Sequence, residues 1–347
     1  MMQPLWYSLL TAMLIVYVVL DGFDFGAGIV YGFVAKSDAD RRQVLSAVGP
    51  VWDGNEVWLL AAGGTLFFAF PRAYAAGFSG FYMPLIILLW LLILRGLSIE
   101  LRSHEPYKLW YEFWDWTFRF ASILIVIILG AAFGNIVRGV PLNADGYFAI
   151  PLFTNMLIHP SIGILDYYTV VAGLFALAVL ALHGALFLVW KADGPVRERS
   201  IALAKRLWWI VIALAAVTFA LTPTVRPEFF APLVARVWPL LLLVISLAGL
   251  FYIPPALKGA NDIRPFLGSI VFIAGILASM AGTLFPDLIV STTNPSYNLT
   301  AYTASASMYG LQVGLVWWII GMILVVVYFT FVYRNLSGKV SAQTKGE

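Results

Sequence analysis

Four carboxylates lie in sequence that is otherwise apolar enough to cross a membrane. Asp21 and Asp24 interrupt one apolar stretch, and Asp53 and Glu56 lie near the start of the next. An ionised carboxylate at membrane depth is costly, so such groups commonly carry protons, bind ions or hold a fixed partner. These residue types, in this setting, predict proton or ion chemistry.

The composition indicates an all-α integral membrane protein. Of the 347 residues, 61% are hydrophobic and 11% are charged, whereas soluble domains are roughly 45–50% apolar and about 25% charged. The chain has no cysteine, which excludes disulfides, thiolate metal sites and Cys-ligated iron–sulfur clusters. No phosphate-binding loop, HExxH motif or nucleotide fingerprint is present, and no nucleic-acid patch is needed to explain the basic residues.

A transmembrane helix requires about 20 mostly apolar residues. On that criterion we predict a single polytopic membrane domain over residues 1–347 with about nine transmembrane helices. The spans are expected at about 5–33, 51–70, 78–99, 118–139, 165–190, 205–223, 233–253, 266–285 and 309–334. The second span is the weakest, because Asp53 and Glu56 lie in its first turns.

The distribution of Lys and Arg predicts the orientation of these spans. Alternate connections, beginning with the one after the first span, carry fifteen Lys and Arg residues, whereas the other set carries four. Basic residues accumulate on the cytoplasmic side. We therefore expect an N-terminus outside and a C-terminus in the cytoplasm, with the first apolar stretch retained as a span rather than cleaved as a signal.

With this orientation all four carboxylates lie in the cytoplasmic half of the membrane. Each pair is spaced i, i+3, which places its members on one helix face. Glycines on both helices would allow close approach of the two segments. They are Gly22, Gly26, Gly28 and Gly32 on the first span, and Gly54, Gly63 and Gly64 on the second. We expect the carboxylates to face protein rather than lipid.

Structural roles for the same residues remain open. Asp53 and Glu56 could serve the first turn of a helix, where acids cap free N–H groups and meet the positive end of the dipole. Asp24 could lie at headgroup level or pair with Arg41 or Arg42.

Arg95 and His183 are two further candidate residues expected within the spans. Arg95 is a candidate counter-ion for the acidic pairs, and snorkelling to the interface is the alternative. His183 could pack through hydrogen bonds or ligate a haem. His104 and His159 fall in connections, so a haem held by two histidines is not expected.

Several short segments combine these residues in a distinctive pattern. They are Asp21-Gly22-Phe23-Asp24, Trp52-Asp53-Gly54-Asn55-Glu56-Val57-Trp58, Phe78-Ser79-Gly80-Phe81-Tyr82, Trp114-Asp115-Trp116, Ala132-Phe133-Gly134-Asn135-Ile136 leading to Gly139-Val140-Pro141, and Leu284-Phe285-Pro286. In these segments the chain closely resembles subunit II of the cytochrome bd-type quinol oxidases. The resemblance runs from residue 5 to about residue 335.

The resemblance implies two four-helix groups plus one peripheral helix, in a bacterial cytoplasmic (inner) membrane. It implies a heterodimer with a subunit I that carries haems b and d and oxidises quinol, while this chain binds no haem directly. The complex reduces dioxygen to water with protons from the cytoplasm. Matched to the family motif, Asp21 and Asp53 fall on a proton pathway, and Asp24 and Glu56 match less closely.

The resemblance leaves room for a small single-span accessory subunit and for a structural quinone or lipid in this chain. The alternative function is a proton-coupled secondary transporter, whose carboxylates would bind a coupling ion near the membrane midplane. Such transporters typically have broken helices at that depth, and the sequence shows no clear break.

Overall fold

The computed structural model describes residues 2–158, 161–336 and 338–341. This part of the chain forms twelve α-helices and one two-stranded antiparallel sheet. The helices are α1 (Met2–Val34), α2 (Asp38–Val48), α3 (Trp52–Ala69), α4 (Pro71–Gly80), α5 (Tyr82–Leu101), α6 (Lys108–Arg138), α7 (Tyr167–Lys191), α8 (Gly194–Val225), α9 (Phe230–Ala235), α10 (Val237–Ala256), α11 (Ile263–Leu284) and α12 (Met308–Asn335). The strands are β1 (Asp287–Ile289) and β2 (Leu299–Thr300), with a short 3₁₀ helix, Pro295–Tyr297, between them.

Eight helices in the described part of the chain are long and apolar enough to cross a membrane. Helices satisfy every backbone polar group internally, which the hydrocarbon interior requires. The predicted all-α membrane fold is confirmed. Helix α3, the expected second span, is not among the eight, because Asp53, Asn55 and Glu56 lower the hydropathy of its 18 residues. The ninth span therefore stays a prediction.

Two helices begin well before their expected spans. Helix α6 begins at Lys108 rather than near residue 118, and α8 begins at Gly194 rather than near residue 205. Hydropathy marks only the apolar segment, whereas both helices continue into polar sequence. Helix α2 was not predicted from the sequence. At its start the Ser37 side chain accepts a hydrogen bond from the Asp40 N–H, and the Asp40 carboxylate accepts one from the Ser37 N–H. These two bonds form a capping box.

The core of the molecule surrounds α1, which packs against α3, α6, α7 and α11. Its closest approach is to α7, at Gly26 and Gly184. A Cβ atom on Gly26 would lie 2.1 Å from the Leu180 carbonyl oxygen, and one on Gly184 would lie 2.1 Å from the Gly26 carbonyl carbon. The two backbones are thus in direct contact, as small residues permit between membrane helices. This crossing fixes Asp21 and Asp24 in the interior.

The remaining long helices complete two groups around this crossing. Helices α1, α3, α5 and α6 form one group, and α7, α8, α10 and α11 form the other. Helix α12 is peripheral, since Leu311 is its one buried residue. Large apolar side chains are exposed along α5, α8, α10 and α12. A continuous apolar exterior of this kind is typical of a surface that faces lipid.

The two ends of the bundle differ in charge. We call the end at which α1 and α7 finish and α6 and α8 begin the basic end, because it carries Lys36, Arg41, Arg102 and Arg199. We call the other end, which carries β1 and β2, the loop end. There the chain after α6 joins the sheet, because the Val140 N–H donates to the Val290 carbonyl.

A buried arginine secures the loop end. Arg138, the last residue of α6, donates to the carbonyl oxygens of Gly139 and Gly163, both at 3.1 Å, and to the Asn135 side-chain oxygen at 2.6 Å. It also pairs with the Asp166 carboxylate. Asp166 in turn caps α7 by accepting from backbone N–H groups. We call Arg138, Asp166 and Asn135 the Arg138 cluster.

Candidate functional site

A second buried arginine lies in the membrane-spanning part of the bundle, towards the basic end. Arg95, near the end of α5, has an exposed fraction of 0%. Its Nη1 donates to Asp21 Oδ1 at 2.9 Å, and its Nη2 donates to Asp21 Oδ2 at 3.3 Å. The same Nη2 donates to Glu56 Oε2 at 2.9 Å. One guanidinium therefore joins carboxylates from α1 and α3.

Asp24 lies one helical turn beyond Asp21 and is also 0% exposed. Its Oδ2 accepts from the Asn55 side-chain nitrogen at 2.8 Å, and its Oδ1 has no partner within the described residues. The Asn55 side-chain oxygen accepts from the Tyr333 hydroxyl at 2.8 Å. A hydrogen-bonded chain thus runs from the last turn of α12, through α3, to the buried carboxylate on α1.

Aromatic rings enclose the guanidinium. The Arg95 Cζ atom lies 4.7 Å from the centroid of the Phe25 ring and 5.2 Å from that of Trp52. Such contacts stabilise a cation over a ring face. Gly96 provides the space for Trp52, since a Cβ atom there would lie 2.9 Å from the indole. The rings exclude water, and the Arg95 Nε has no partner within the described residues.

The site carries more negative than positive charge. We call Arg95, Asp21, Asp24, Glu56 and Asn55 the Arg95 cluster; it holds three carboxylates and one cation. Asp21 and Asp24 are fully buried, whereas the Glu56 side chain is 23% exposed. One arginine neutralises the charge of one carboxylate. A proton bound to one of the other two carboxylates would reduce the negative charge that remains. The arrangement is therefore chemically suited to taking up and releasing protons.

Asp53 stands apart from this cluster, although it was expected beside Glu56. It is exposed and makes no hydrogen bond or ion pair with the rest of the described chain, while Glu56 turns inward to Arg95. Residues spaced i, i+3 differ by about 60° around a helix, which is enough to separate them at the edge of a helix face. Asp53 remains close enough to Glu56 to interact electrostatically.

Asn55, a member of the cluster, and Tyr333, which bonds to it, were not singled out from the sequence. Asn55 lies inside the segment from Trp52 to Trp58, so its motif was noted although its role was not. Nothing in the sequence indicated that Tyr333 would contact the cluster, because it lies 278 residues from Asn55 at the end of a uniformly apolar helix. Only the packing of α12 beside α3 brings the two side chains together.

The structure also resolves the alternatives for Asp24 and Arg95. Arg41 pairs with Asp115, and Arg42 pairs with Asp38, so neither bonds to Asp24. Arg95 is buried among its partners and does not snorkel to the surface. 

His183 packs inside the bundle through both ring nitrogens. Nε2 lies 2.9 Å from the Val19 carbonyl oxygen, and Nδ1 lies 2.7 Å from the Ser269 hydroxyl. The ring is stacked on Phe266 with centroids 4.8 Å apart. Because neither nitrogen is free, His183 does not fit a haem ligand. Of the two histidines expected in connections, His104 is exposed and His159 lies outside the described residues.

Comparison with known proteins identifies the family. A family model described as cytochrome bd terminal oxidase subunit II matches residues 2–336. The chain belongs to this family. The resemblance seen in the sequence motifs is thereby confirmed, and the chain is a multi-pass membrane subunit of an oxidoreductase complex.

Curated relatives and a solved structure agree with this assignment. Cytochrome bd ubiquinol oxidase subunit 2 of Bacillus subtilis (strain 168) is 29% identical over 316 residues, covering 90% of this chain and 89% of the relative. Cytochrome bd-I ubiquinol oxidase subunit 2 of Escherichia coli (strain K12) is 28% identical over 370 residues, covering 98% and 95%. A chain of the bd oxidase from Geobacillus thermodenitrificans has the same fold, with a TM-score of 0.76, 19% identity and coverage of 96% and 98%.

Proposed function

We propose that this chain pairs with a haem-bearing subunit I in a quinol:oxygen oxidoreductase, and that the Arg95 cluster takes up protons for dioxygen reduction. The observation that carries the proposal is the set of three carboxylates around one buried arginine. The names of the relatives, which include ubiquinol oxidase, support a quinol as the electron donor. We also propose that residues 1–347 form one membrane domain.

The distribution of basic residues supports a cytoplasmic location for the basic end. That end then faces the compartment from which the protons are taken, and the N-terminus lies outside. The haems supply electron transfer and oxygen reduction on the partner subunit, while the residues of this chain hold and move protons. The packing of His183 supports haem ligation by subunit I instead of this chain.

The exposure of the carboxylates falls steadily towards the interior. Asp53 is exposed, Glu56 is partly exposed, and Asp21 and Asp24 are buried. Glu56 and Asp21 share one guanidinium nitrogen, so a proton on Glu56 can be passed inward over a short distance. This order supports an uptake route in which Asp53 collects protons and Arg95 holds the next two carboxylates in place.

A small cavity supports access of water from the basic end. It has a volume of about 60 Å³ and is lined in part by Ser46, Pro50, Lys191 and Tyr333. About 10–15 Å³ of such space is enough to admit one water molecule, so the cavity has room for several. Tyr333, which lines the cavity, donates to Asn55, and Asn55 donates to Asp24.

The exposed face of α3 supports docking of another membrane subunit beside the carboxylates. Val57, Leu60 and Phe67 point outward from this helix. Gly63 and Gly64 have open space where a side chain would be, and small residues permit close approach of a second helix. Subunit I seated on this face would cover Asp53 and bring the acidic residues to the subunit interface.

A secondary transporter is less well supported. Transporter sites commonly use discontinuous helices whose ends face the ion. Helices α1 and α3, which carry all four carboxylates, run without interruption from Met2 to Val34 and from Trp52 to Ala69.

The test is the oxygen consumption of the assembled complex. Asp21→Asn and Asp24→Asn should each lower turnover while the haem spectrum of the complex is retained. Glu105→Gln, an exposed acid without a partner in the described chain, is the matched control and should leave turnover unchanged. Wild-type turnover in both Asp variants would contradict the proton-uptake proposal.

A further inference from the structure

Arg119 is a cation in α6 that has no hydrogen bond or ion pair with the described residues. Its Nε is buried and without a partner, while the residue as a whole is partly exposed. The guanidinium lies over Gly32 near the end of α1, where a Cβ atom would be only 2.4 Å from the Arg119 Cζ. The absence of a side chain at residue 32 therefore creates the space in which the guanidinium sits.

A second cation, Lys36, contacts the same glycine from four residues further along the chain. The Lys36 Nζ donates to the Gly32 carbonyl oxygen at 2.9 Å and pairs with no carboxylate of the described residues. Arg119 and Lys36 thus both contact Gly32, and neither has a compensating charge. Two unneutralised cations beside the same residue create a positive local field that attracts an anion.

The acidic groups nearest to this pair are already occupied. Asp115, one turn before Arg119 on α6, bonds to Arg102 at 2.6 Å, to Arg41 at 2.9 Å and to the Tyr31 hydroxyl at 2.6 Å. The other two carboxylates of this ion-pair network are likewise paired: Asp40 with Arg199, and Asp38 with Arg42 and Arg102. None of these three carboxylates bonds to Arg119 or to the Lys36 side chain, so both cations lack a paired acid among the described residues.

An exposed aromatic pair flanks Arg119 in the sequence of α6. Trp116 and Phe120 are 62% and 39% exposed, and their rings are stacked with centroids 4.9 Å apart. Trp116 lies three residues before Arg119 in α6, and Phe120 lies one residue after it. Aromatic residues in such positions lie at the level of lipid headgroups.

We infer that Arg119 and Lys36 bind the phosphate of an anionic glycerophospholipid in the leaflet at the basic end, with the lipid body against Trp116 and Phe120. Arginine forms paired hydrogen bonds to phosphate oxygens, and the lysine adds a point charge. Basic pockets between membrane helices on this side of the membrane are suited to acidic headgroups. The adjacent aromatic surface favours a lipid over a soluble phosphate.

The test uses the complete oxidase complex purified in detergent, with bound phospholipid detected by native mass spectrometry during titration with phosphatidylglycerol. Arg119→Gln and Lys36→Gln should each weaken phosphatidylglycerol binding about fivefold, the effect of removing one basic residue near a membrane surface. Lys205→Gln removes an exposed, unpaired cation of α8 and should leave binding unchanged. Phosphatidylcholine should bind far more weakly to the wild-type complex.

A variant that changes no charged residue distinguishes a binding site of defined geometry from general electrostatic attraction by the basic end. Gly32→Ala would displace the Arg119 guanidinium and should weaken phosphatidylglycerol binding as Arg119→Gln does. Equal losses in Lys205→Gln and Arg119→Gln would overturn the inference, as would wild-type binding in both Gln variants of the site. Displacement of the lipid by millimolar inorganic phosphate would also overturn it in favour of a soluble anion.

Discussion

Arg138 and Arg95 are both buried in this protein, and their surroundings differ in the balance of charge. Arg138 at the loop end meets one carboxylate, Asp166, and its three guanidinium nitrogens all donate hydrogen bonds. Arg95 meets Asp21 and Glu56 and lies close to Asp24, and its own Nε and the Asp24 Oδ1 have no partner within the described residues.

The comparison separates a structural ion pair from a cluster that can change its charge. In the Arg138 cluster the charges balance and the polar atoms of the arginine are satisfied, so adding or removing a proton would break existing bonds. In the Arg95 cluster a proton can be accommodated because negative charge is in excess. The same residue types therefore form a fully bonded ion pair in one place and, as we propose, a site for proton chemistry in the other.

The largest effect is expected from removing either arginine. Arg95→Gln leaves two contacting carboxylates without a cation and should destabilise the complex by about 3–5 kcal/mol, the usual cost of breaking a buried ion pair. Arg138→Gln should cost less, because Asp166 keeps its bonds from the N–H groups of Tyr168 and Thr169. Thermal unfolding of the purified complexes measures both.

A second substitution sharpens this prediction. Asp21→Asn combined with Arg95→Gln should recover part of the lost stability, because it removes one uncompensated charge. Equal losses for the two single arginine variants would contradict the distinction between the clusters.

The next effect concerns turnover. Asp24→Asn should lower oxygen consumption per haem by roughly tenfold or more, since proton-transfer groups contribute factors of this size or larger. Asp166→Asn removes the carboxylate of the Arg138 cluster and should lower the unfolding temperature, with little change in turnover per haem. A similar fall in turnover for both variants would show that the carboxylates act only through folding.

A smaller effect is expected from the hydrogen bond that joins α12 to the Arg95 cluster. Tyr333→Phe removes the donor to Asn55, and a single hydrogen bond contributes about 1 kcal/mol. We expect turnover to fall a few-fold and its pH profile to shift, because Asn55 orients Asp24. Tyr328→Phe, an exposed tyrosine on the same helix, is the control and should change neither; an unchanged pH profile in Tyr333→Phe would contradict the positioning role.

The smallest effect is expected at Asp262, which pairs near the surface with Arg197 and Lys339. These ion pairs serve as a reference for the buried ion pairs. Hydrogen bonds from Arg197 and Lys339 lower the pKa of Asp262, and burial opposes them only in part. A lowered pKa stabilises the fold above the ordinary Asp value, and this stabilisation is lost as the pH falls through the lowered value. Asp262→Asn should therefore slightly lower the unfolding temperature at neutral pH, and the difference from wild type should vanish in acid; a difference that persists in acid would contradict it.

Much of the fold and part of the site followed from the sequence. Apolar stretches of span length predicted the helices, and the segment from Trp52 to Trp58 indicated the family. Helix ends beyond the apolar segments, as at Lys108 and Gly194, were missed because hydropathy reports transfer to lipid and not helix formation.

The sequence by itself determined that Asp21 and Asp24 would lie in a membrane-spanning helix, because their types and positions are written in the chain. Tertiary structure alone decided which of the four carboxylates meet. The rotation of α3 turned Glu56 towards Arg95 and left Asp53 exposed, and the packing of α12 brought Tyr333 to Asn55. Helices that are apolar on all sides contain no pattern that specifies their rotation, so only contacts between helices could settle the membership of the Arg95 cluster.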